Sequence, residues 1–480
     1  MVSGPLALAL PQSAALRRLR GIGALTWLGH PSAYAVGVCV VSLMSMATTL
    51  VAPRLLDPAA FGAFALLGTL LQYAAKSDLG LSQLADREIA ASRGGSGRLG
   101  EDILRASWVL GIIGLVILVP VAVAGAMLSQ RFSPLDAALA VTGGVLGMVA
   151  HAPTSIFRAA SQHWEFTTLA LLQQSGLTAP RLAGLAAAGV TGCFAVLAVW
   201  SGVLAAMFAR PRLGGSWRPE CWGPLVRSAL PLFVFNGLWL VYMTANRWVS
   251  AALSTPEELG HFAFGANLAM VGLALVGAIS QVRYPKLLTR MAHASPSAAS
   301  MLFERETLLV SAVLAPVALA ATFVAAPIVH GLFPGYEPAT AATVGLAASC
   351  VALGVVAWII PMAMVLTPNP LADAVRVMGP ALVVLVAAIA AGDAVAGISG
   401  QGWACAPASV FMIASLAAML RRRGVISAAR ALRITAVQLA IVAALSAVAA
   451  VWSAPIPAPL TGGEAGHTSF PRHLFRSVAP

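Results

Sequence analysis

Asp57-Pro58-Ala59-Ala60-Phe61-Gly62-Ala63-Phe64-Ala65 decides the fold, because the chain repeats it as Thr255-Pro256-Glu257-Glu258-Leu259-Gly260-His261-Phe262-Ala263. The shared frame, Pro-x-x-x-Gly-x-Phe-Ala, recurs after about 200 residues, the sign of an internal duplication. In both copies an apolar helix runs in and another runs out. A basic residue closes the outgoing helix in each, Arg87 in the first and Lys286 in the second. Two homologous halves are a recurring plan of membrane transporters, whose substrate path lies between them.

Composition agrees. The 480 residues are 59% hydrophobic and 10% charged, against roughly 25% charged in soluble domains. So few charges cannot cover a water-soluble fold of this length. Continuous apolar runs of about 20 residues recur, each enough to cross a bilayer as a helix, and their continuity excludes a barrel. The chain therefore reads as an all-α integral membrane protein of about 12–13 helices. The net charge of +12 would point to nucleic acid in a soluble protein. Here the basic residues fall in alternate loops, the pattern of cytoplasmic loops. Cys39, Cys193, Cys221, Cys350 and Cys405 are scattered and form no metal or disulfide pattern. No cofactor is indicated. The apolar start precedes Arg17-Arg18-Leu19-Arg20, the reverse of a signal peptide, and these arginines predict a cytoplasmic N-terminus.

Read in order, 1–31 is a cytoplasmic segment and 32–209 a first six-helix bundle. Its spans are expected near 32–52, from 60 into the amphipathic Asp86-Arg87-Glu88 stretch, then 103–127, 135–157, 166–188 (broken by Pro180), and on to 208 after a tight Gly189–Gly192 turn. Arg210, Arg212, Arg218 and Arg227 mark a basic linker, 210–227. A second bundle, 228–420, repeats the plan, with spans near 228–253 and 259–282, two ending near 329 and 366, then 375–391 and 395–420. Residues 421–454 hold Arg421-Arg422-Arg423 and one more helix, and 455–480 is a Pro-rich tail read as disordered. With thirteen spans the C-terminus lies opposite the N-terminus.

Ionisable residues at bilayer depth cost at least about 2.5–3.5 kcal/mol on insertion scales, so they face partners or a watery cavity. Few are present, and most are basic. Gln174, Thr178 and Arg181 form one polar stripe at i, i+4 and i+7, with Pro180 loosening the helix beside Arg181. Arg247 shares a face with Asn236 and Met243, and Asn246 stands beside it. Lys76 and Asp78 lie near the inner end of the second span, two residues apart and so on different faces. Arg54 sits at the outer mouth. Against each stands a plainer reading. Arg181, Arg247 and Arg54 could snorkel to the interface, and Asp78 could cap local structure. Asp78 is the one well-placed carboxylate for ion coupling. No Walker sequence and no nucleophile–base or metal constellation is present, so the chain does not read as an enzyme. A cationic, acid-poor cavity favours an anion, because desolvated guanidinium groups bind phosphate through paired hydrogen bonds. A lipid carrying pyrophosphate suits such a cavity.

Several stretches carry a further resemblance. They are Arg54–Gly62, Ser77-Asp78-Leu79-Gly80-Leu81 with Arg87, Asn246-Arg247-Trp248-Val249-Ser250 through Phe262, and Tyr284-Pro285-Lys286-Leu287, with Phe333-Pro334-Gly335-Tyr336 a looser one. In these the chain resembles Wzx-type polysaccharide-transporter flippases of the multidrug/oligosaccharidyl-lipid/polysaccharide exporter superfamily. The resemblance implies two pseudo-symmetric six-helix bundles in a V, a central cationic cavity and alternating access. It implies flipping of an undecaprenyl-pyrophosphate-linked oligosaccharide from the cytoplasmic to the periplasmic leaflet of the bacterial inner membrane, for O-antigen, capsule or exopolysaccharide synthesis. Polysaccharide polymerase and chain-length proteins would be partners, and a monomer is the expected state. Arg54, Asp78, Asn246 and Arg247 fall at matching positions, whereas Arg181, Lys76 and Gln174 rest on the residue reading. Family members often have an acidic residue where Asn246 stands. The alternatives are a lipid-linked peptidoglycan-precursor flippase, a multidrug antiporter of the same fold, and a non-transporting scaffold for glycan assembly.

Overall fold

A computed structural model describes residues 31–91, 97–160, 162–209, 217–271, 294–366 and 370–453, with isolated positions between 273 and 291. Twelve helices are described: α1 Pro31–Leu55, α2 Pro58–Ala74, α3 Leu81–Ala91, α4 Gly97–Ser129, α5 Pro134–Ala159, α6 His163–Phe208, α7 Pro219–Leu253, α8 Pro256–Ala269, α9 Pro296–Leu332, α10 Ala339–Leu366, α11 Pro370–Arg422 and α12 Ala428–Ser453. Eight of the described helices are long and apolar enough to cross a membrane. The N-terminal arginines, Arg210, Arg212, Lys286, the side chain of Arg87, and the tail lie outside the described residues.

Helix starts follow one local rule. A capping side chain precedes a proline whose missing N–H costs nothing in the first turn. Asp57 accepts from the Ala60 amide at 2.8 Å, and Ser133 from the Asp136 amide at 3.2 Å. Thr255 and Glu258 form a reciprocal capping box, 3.3 and 2.8 Å. The Thr255 amide and hydroxyl hold the Glu258 carboxyl below its usual pKa.

Two long helices are in fact hairpins. α6 turns at Ala188–Gly189 and α11 at Ala396–Gly397, with nearly the same angles: Gly189 has φ 60 and ψ −147, Gly397 φ 55 and ψ −138. Both glycines are left-handed, a conformation that costs other residues. Glycines also line the arms. A Cβ on Gly184 would stand 2.5 Å from the Gly192 carbonyl, and one on Gly392 2.3 Å from that of Gly400. The sequences match as well, Gly184-Leu-Ala-Ala-Ala-Gly189-Val-Thr-Gly192 against Gly392-Asp-Ala-Val-Ala-Gly397-Ile-Ser-Gly400. This second repeat confirms two pseudo-symmetric halves.

Some expected boundaries move. Pro180 does not break α6, which runs through it to the glycine turn. α7 starts at Pro219, inside the expected linker, and runs through Pro224 and Pro231. The second span ends at Ala74, and a turn over 75–80 separates it from α3. Leu79 (φ 47) and Gly80 (φ 89) are both left-handed there. A Cβ on Gly80 would meet the Ala229 carbonyl at 2.6 Å, so glycine lets this turn press against α7.

Burial shows what faces lipid. α10 is almost wholly inside the second half, where Val351, Val355, Trp358 and Ile359 are buried against Ile413 and Phe303. α4 exposes Ile112, Ile113, Val116, Ile117 and Val121, an apolar face for hydrocarbon. The arginines are polarised. Arg158, Arg423, Arg430 and Arg433 lie at one end of their helices and pair with Asp86, Asp373 and Glu304. These ties stay within a half.

At the opposite end, the Pro–Gly side, the halves meet through the repeated motif itself. A Cβ on Gly62 would lie 2.8 Å from the Pro256 carbonyl, and one on Gly260 1.7 Å from that of Pro58. Around this crossing Phe61, Phe264, Phe333 and Tyr336 pack edge to face. The Tyr336 hydroxyl donates to the Leu56 carbonyl at 2.9 Å, and Arg131 to that of Ser254 at 3.3 Å. Both bonds join one half to the other.

A candidate substrate site on the seam between the halves

The duplicated register builds the site. Thr69 stands eleven residues after Pro58, and Asn267 eleven after Pro256. Both equivalent positions point at one guanidinium. Arg247 on α7 donates to the Asn267 amide oxygen at 2.8 Å and to the Thr69 hydroxyl at 3.4 Å. The single cation thus sits between the two repeats, close to their pseudo-twofold axis.

Aromatic and hydroxyl groups extend the cluster one turn along α2 and α7. The Tyr73 and Thr244 hydroxyls are 2.6 Å apart, and the Trp248 indole N–H donates to Tyr73 at 3.1 Å. The Tyr73 and Trp248 rings are stacked at 6.4 Å. Thr244 also donates to the Leu240 carbonyl at 2.7 Å. Asn246 is buried, and its side-chain oxygen accepts from the Arg247 amide at 2.8 Å, shaping the backbone under the guanidinium. No carboxylate pairs with Arg247 among the described residues. Its two partners are neutral, so much of the fork is left for an anion.

The other sequence-predicted residues lie elsewhere. Arg181 is half-buried on the first arm of α6, with Nε 3.5 Å from the Cys193 sulfur across the hairpin. Gln174 and Thr178 do form a stripe, joined at 3.4 Å, and Thr178 donates to the Met44 carbonyl of α1. Among the described residues this stripe makes no hydrogen bond or ion pair with the Arg247 cluster. Arg54 ends α1 on the Pro–Gly side, exposed, its guanidinium carbon 5.3 Å from the Phe333 ring centre. Lys76 is half-buried in the turn just beyond the far end of α2 and makes no side-chain hydrogen bond or ion pair among the described residues.

Asp78 is a buried cap. It accepts from the Gly80 amide (3.1 Å), the Ser82 amide (3.0 Å) and the Ser82 hydroxyl (2.5 Å) at the start of α3. Thr69, Tyr73, Thr244 and Asn267 join this cluster and were not singled out in the sequence; Trp248 entered only as part of the resembling Asn246–Ser250 stretch. The eleven-residue offset from each proline was the signal that could have found Thr69 and Asn267. Among the described residues no three His, Cys, Asp or Glu side chains gather as a metal site.

The family described as "Polysaccharide biosynthesis protein" matches residues 32–291. No curated protein matches the sequence significantly. Among solved structures, a single-residue mutant of the MATE transporter VcmN from Vibrio cholerae is 18% identical, over 84% of this chain and 97% of that one, with a TM-score of 0.58. The lipid II flippase MurJ in an inward closed conformation is 9% identical, over 87% and 98%, with a TM-score of 0.57. An inward-facing multidrug resistance MATE transporter of the MOP superfamily is 13% identical, over 81% and 98%, with a TM-score of 0.56. At these identities the likeness shows the fold alone. The family match spans more than half of the chain, which therefore belongs to the polysaccharide biosynthesis protein family and is a multi-pass membrane protein.

Proposed function

We propose that this protein flips a polyprenyl-pyrophosphate-linked oligosaccharide, of the undecaprenyl class, from the cytoplasmic to the periplasmic leaflet of the bacterial inner membrane, for surface polysaccharide assembly. The observation that carries this reading is Arg247. It is held on the seam by one neutral residue from each repeat and has no carboxylate partner among the described residues. A guanidinium in a low-dielectric cavity is a strong site for a phosphate group. A cationic drug would be repelled there. The Tyr73–Trp248 stack beside it offers a flat apolar surface with polar edges, suited to a sugar ring.

The positive-inside rule gives the orientation. On this reading the arginine-rich end faces the cytoplasm and the Pro–Gly end the periplasm, which supports a cytoplasmic N-terminus. The glycine crossing and the aromatic cluster hold the halves together at the Pro–Gly end. Alternating access then consists of parting the halves there after the head has reached Arg247. Lys76, nearer the arginine-rich end, receives the head first, and Arg54 meets it on exit. Asn246 shapes the backbone under Arg247, while Arg181 and Gln174 lie away from it on α6. A polysaccharide polymerase and chain-length proteins would take the delivered glycan.

The test is translocation of a fluorescent polyprenyl-pyrophosphate glycan in proteoliposomes. Arg247→Ala should abolish it while leaving detergent elution and thermal stability unchanged. Full transport by a folded Arg247→Ala protein would refute the reading.

A further inference from the structure

A half-open cavity of about 530 Å³ lies on the Pro–Gly side, between α1 of the first half and α8 and α9 of the second. Val317, Ala321, Val324 and Ile328 recur on one face of α9 to form its back wall. Leu50 of α1 and Leu268 of α8 close the sides. The one hydroxyl in the lining, Thr343, already donates to the Ala339 carbonyl at 2.9 Å. A polar ligand would lose its water here and gain no partner. At about 30 Å³ for each water- or methylene-sized group, the space holds roughly 18 carbons, three to four isoprene units.

The mouth of the cavity is charged. Arg54 lines it, rests on the Phe333 ring, and makes no ion pair among the described residues. An apolar slot with an unpaired guanidinium at its rim fits an amphiphile with a long branched or linear tail and an anionic head. α8 links the slot to the seam: Leu268 forms its wall, and the adjacent Asn267 holds Arg247. We propose that this cavity seats the prenyl chain of the pyrophosphate carrier, with Arg54 on its phosphates. The proposal rests on the flippase reading above and adds a tail site to it.

The experiment is photolabelling of the purified full-length chain in nanodiscs with a C20 prenyl pyrophosphate carrying a diazirine in its tail. Labelled peptides are mapped by mass spectrometry. Label is expected on 317–328 of α9 and at Leu50 and Val51 of α1. Excess unlabelled prenyl pyrophosphate should displace it, and phosphatidylglycerol should not. Ala321→Trp, which fills the slot, should cut labelling at least tenfold, and Arg54→Gln should weaken it about tenfold. Ala321→Leu replaces the tryptophan variant if that protein elutes aggregated. No label, label confined to other helices, or equal displacement by phosphatidylglycerol overturns the tail site. Label here without glycan translocation would keep the site and remove the flippase reading. Translocation with label elsewhere would do the reverse.

Discussion

Gly260→Ala should prise the halves apart at their tightest contact. The added methyl would stand 1.7 Å from the Pro58 carbonyl oxygen. A carbon–oxygen contact needs about 3.3 Å, so α2 and α8 must separate by about 1.6 Å or bend locally. The obstacle is backbone on both sides, within the first five residues of each helix, where no side chain can rotate away. Overpacking of this kind costs about 1–3 kcal/mol, and here the closed state bears it, which shifts the open–closed balance roughly 5- to 150-fold. Spin labels at Ala59 and Glu257, exposed and close to equivalent in the two repeats, would read the change by pulsed EPR in a background lacking the five native cysteines. The expected result is a new, longer distance population in Gly260→Ala. The same population should grow in wild type when a pyrophosphate-linked substrate is added. An unchanged distance distribution in a folded Gly260→Ala protein would show that the crossing is not the gate.

Other outcomes follow from single contacts. Arg247→Lys keeps the charge but cannot donate to Thr69 and Asn267 in a fork, so substrate affinity measured in detergent should fall about tenfold or more. Asp78→Asn should remain close to wild type in stability and transport, since Asn also caps helices, whereas Asp78→Ala should lose about 1 kcal/mol and reduce transport in step with stability. A stable but inert Asp78→Asn would make the carboxylate's charge functional. Thr255→Ala removes one side of the α8 capping box and should lower stability by about 1 kcal/mol in urea or thermal titration. Acidification through the unfolded carboxylate range should weaken the same cap. The folded pKa of Glu258 lies below its unfolded value, so its contribution is present above that range and fades as pH falls through the folded pKa. Melting temperatures of wild type and Glu258→Gln should therefore converge at low pH.

What the sequence disclosed follows physical lines. The duplicated Pro-x-x-x-Gly-x-Phe-Ala frame was visible because a helix start needs a cap, a proline and, here, a glycine where two backbones touch. Those demands fix residue types at fixed spacing. The first hairpin turn was legible at Gly189, and the second fell at Gly397, just past the expected break after 391; their likeness was not, because the stretches around them are mostly alanine and valine and blend into membrane helix. Pro180 misled for the opposite reason. Proline is a strong signal, but a membrane helix tolerates it when surrounding groups take up the freed carbonyl. Arg247 was legible as a cation in an apolar run, and its partners were not. Thr69 and Asn267 are ordinary polar residues whose meaning lies in their equal distance from the two prolines. Asp78 stood out as a lone buried acid, and its three local donors could be seen only once the 75–80 turn was in place.

The unequal grip on Arg247 gives the site a direction. Asn267 and Arg247 belong to the same half, and their 2.8 Å bond survives a rigid separation of the halves. Thr69 belongs to the other half, and its 3.4 Å bond is already near the limit of a hydrogen bond. Opening the Pro–Gly side by even an ångström breaks the second bond and spares the first. The guanidinium then keeps its place on the second half and gains a free N–H in the state where the path to that side opens. An anionic head bound to Arg247 replaces Thr69 at little cost, whereas an empty site loses a bond and exposes a cation. Under the proposed flippase function, substrate would therefore favour opening by differential interaction with the two states, which any ligand-driven change requires. Thr69→Val tests this directly. It removes the closed-state bond while preserving shape, so the empty transporter should populate the open distance more often and the added effect of substrate should shrink. If substrate shifts Thr69→Val as far as it shifts wild type, the hydroxyl has no part in the coupling.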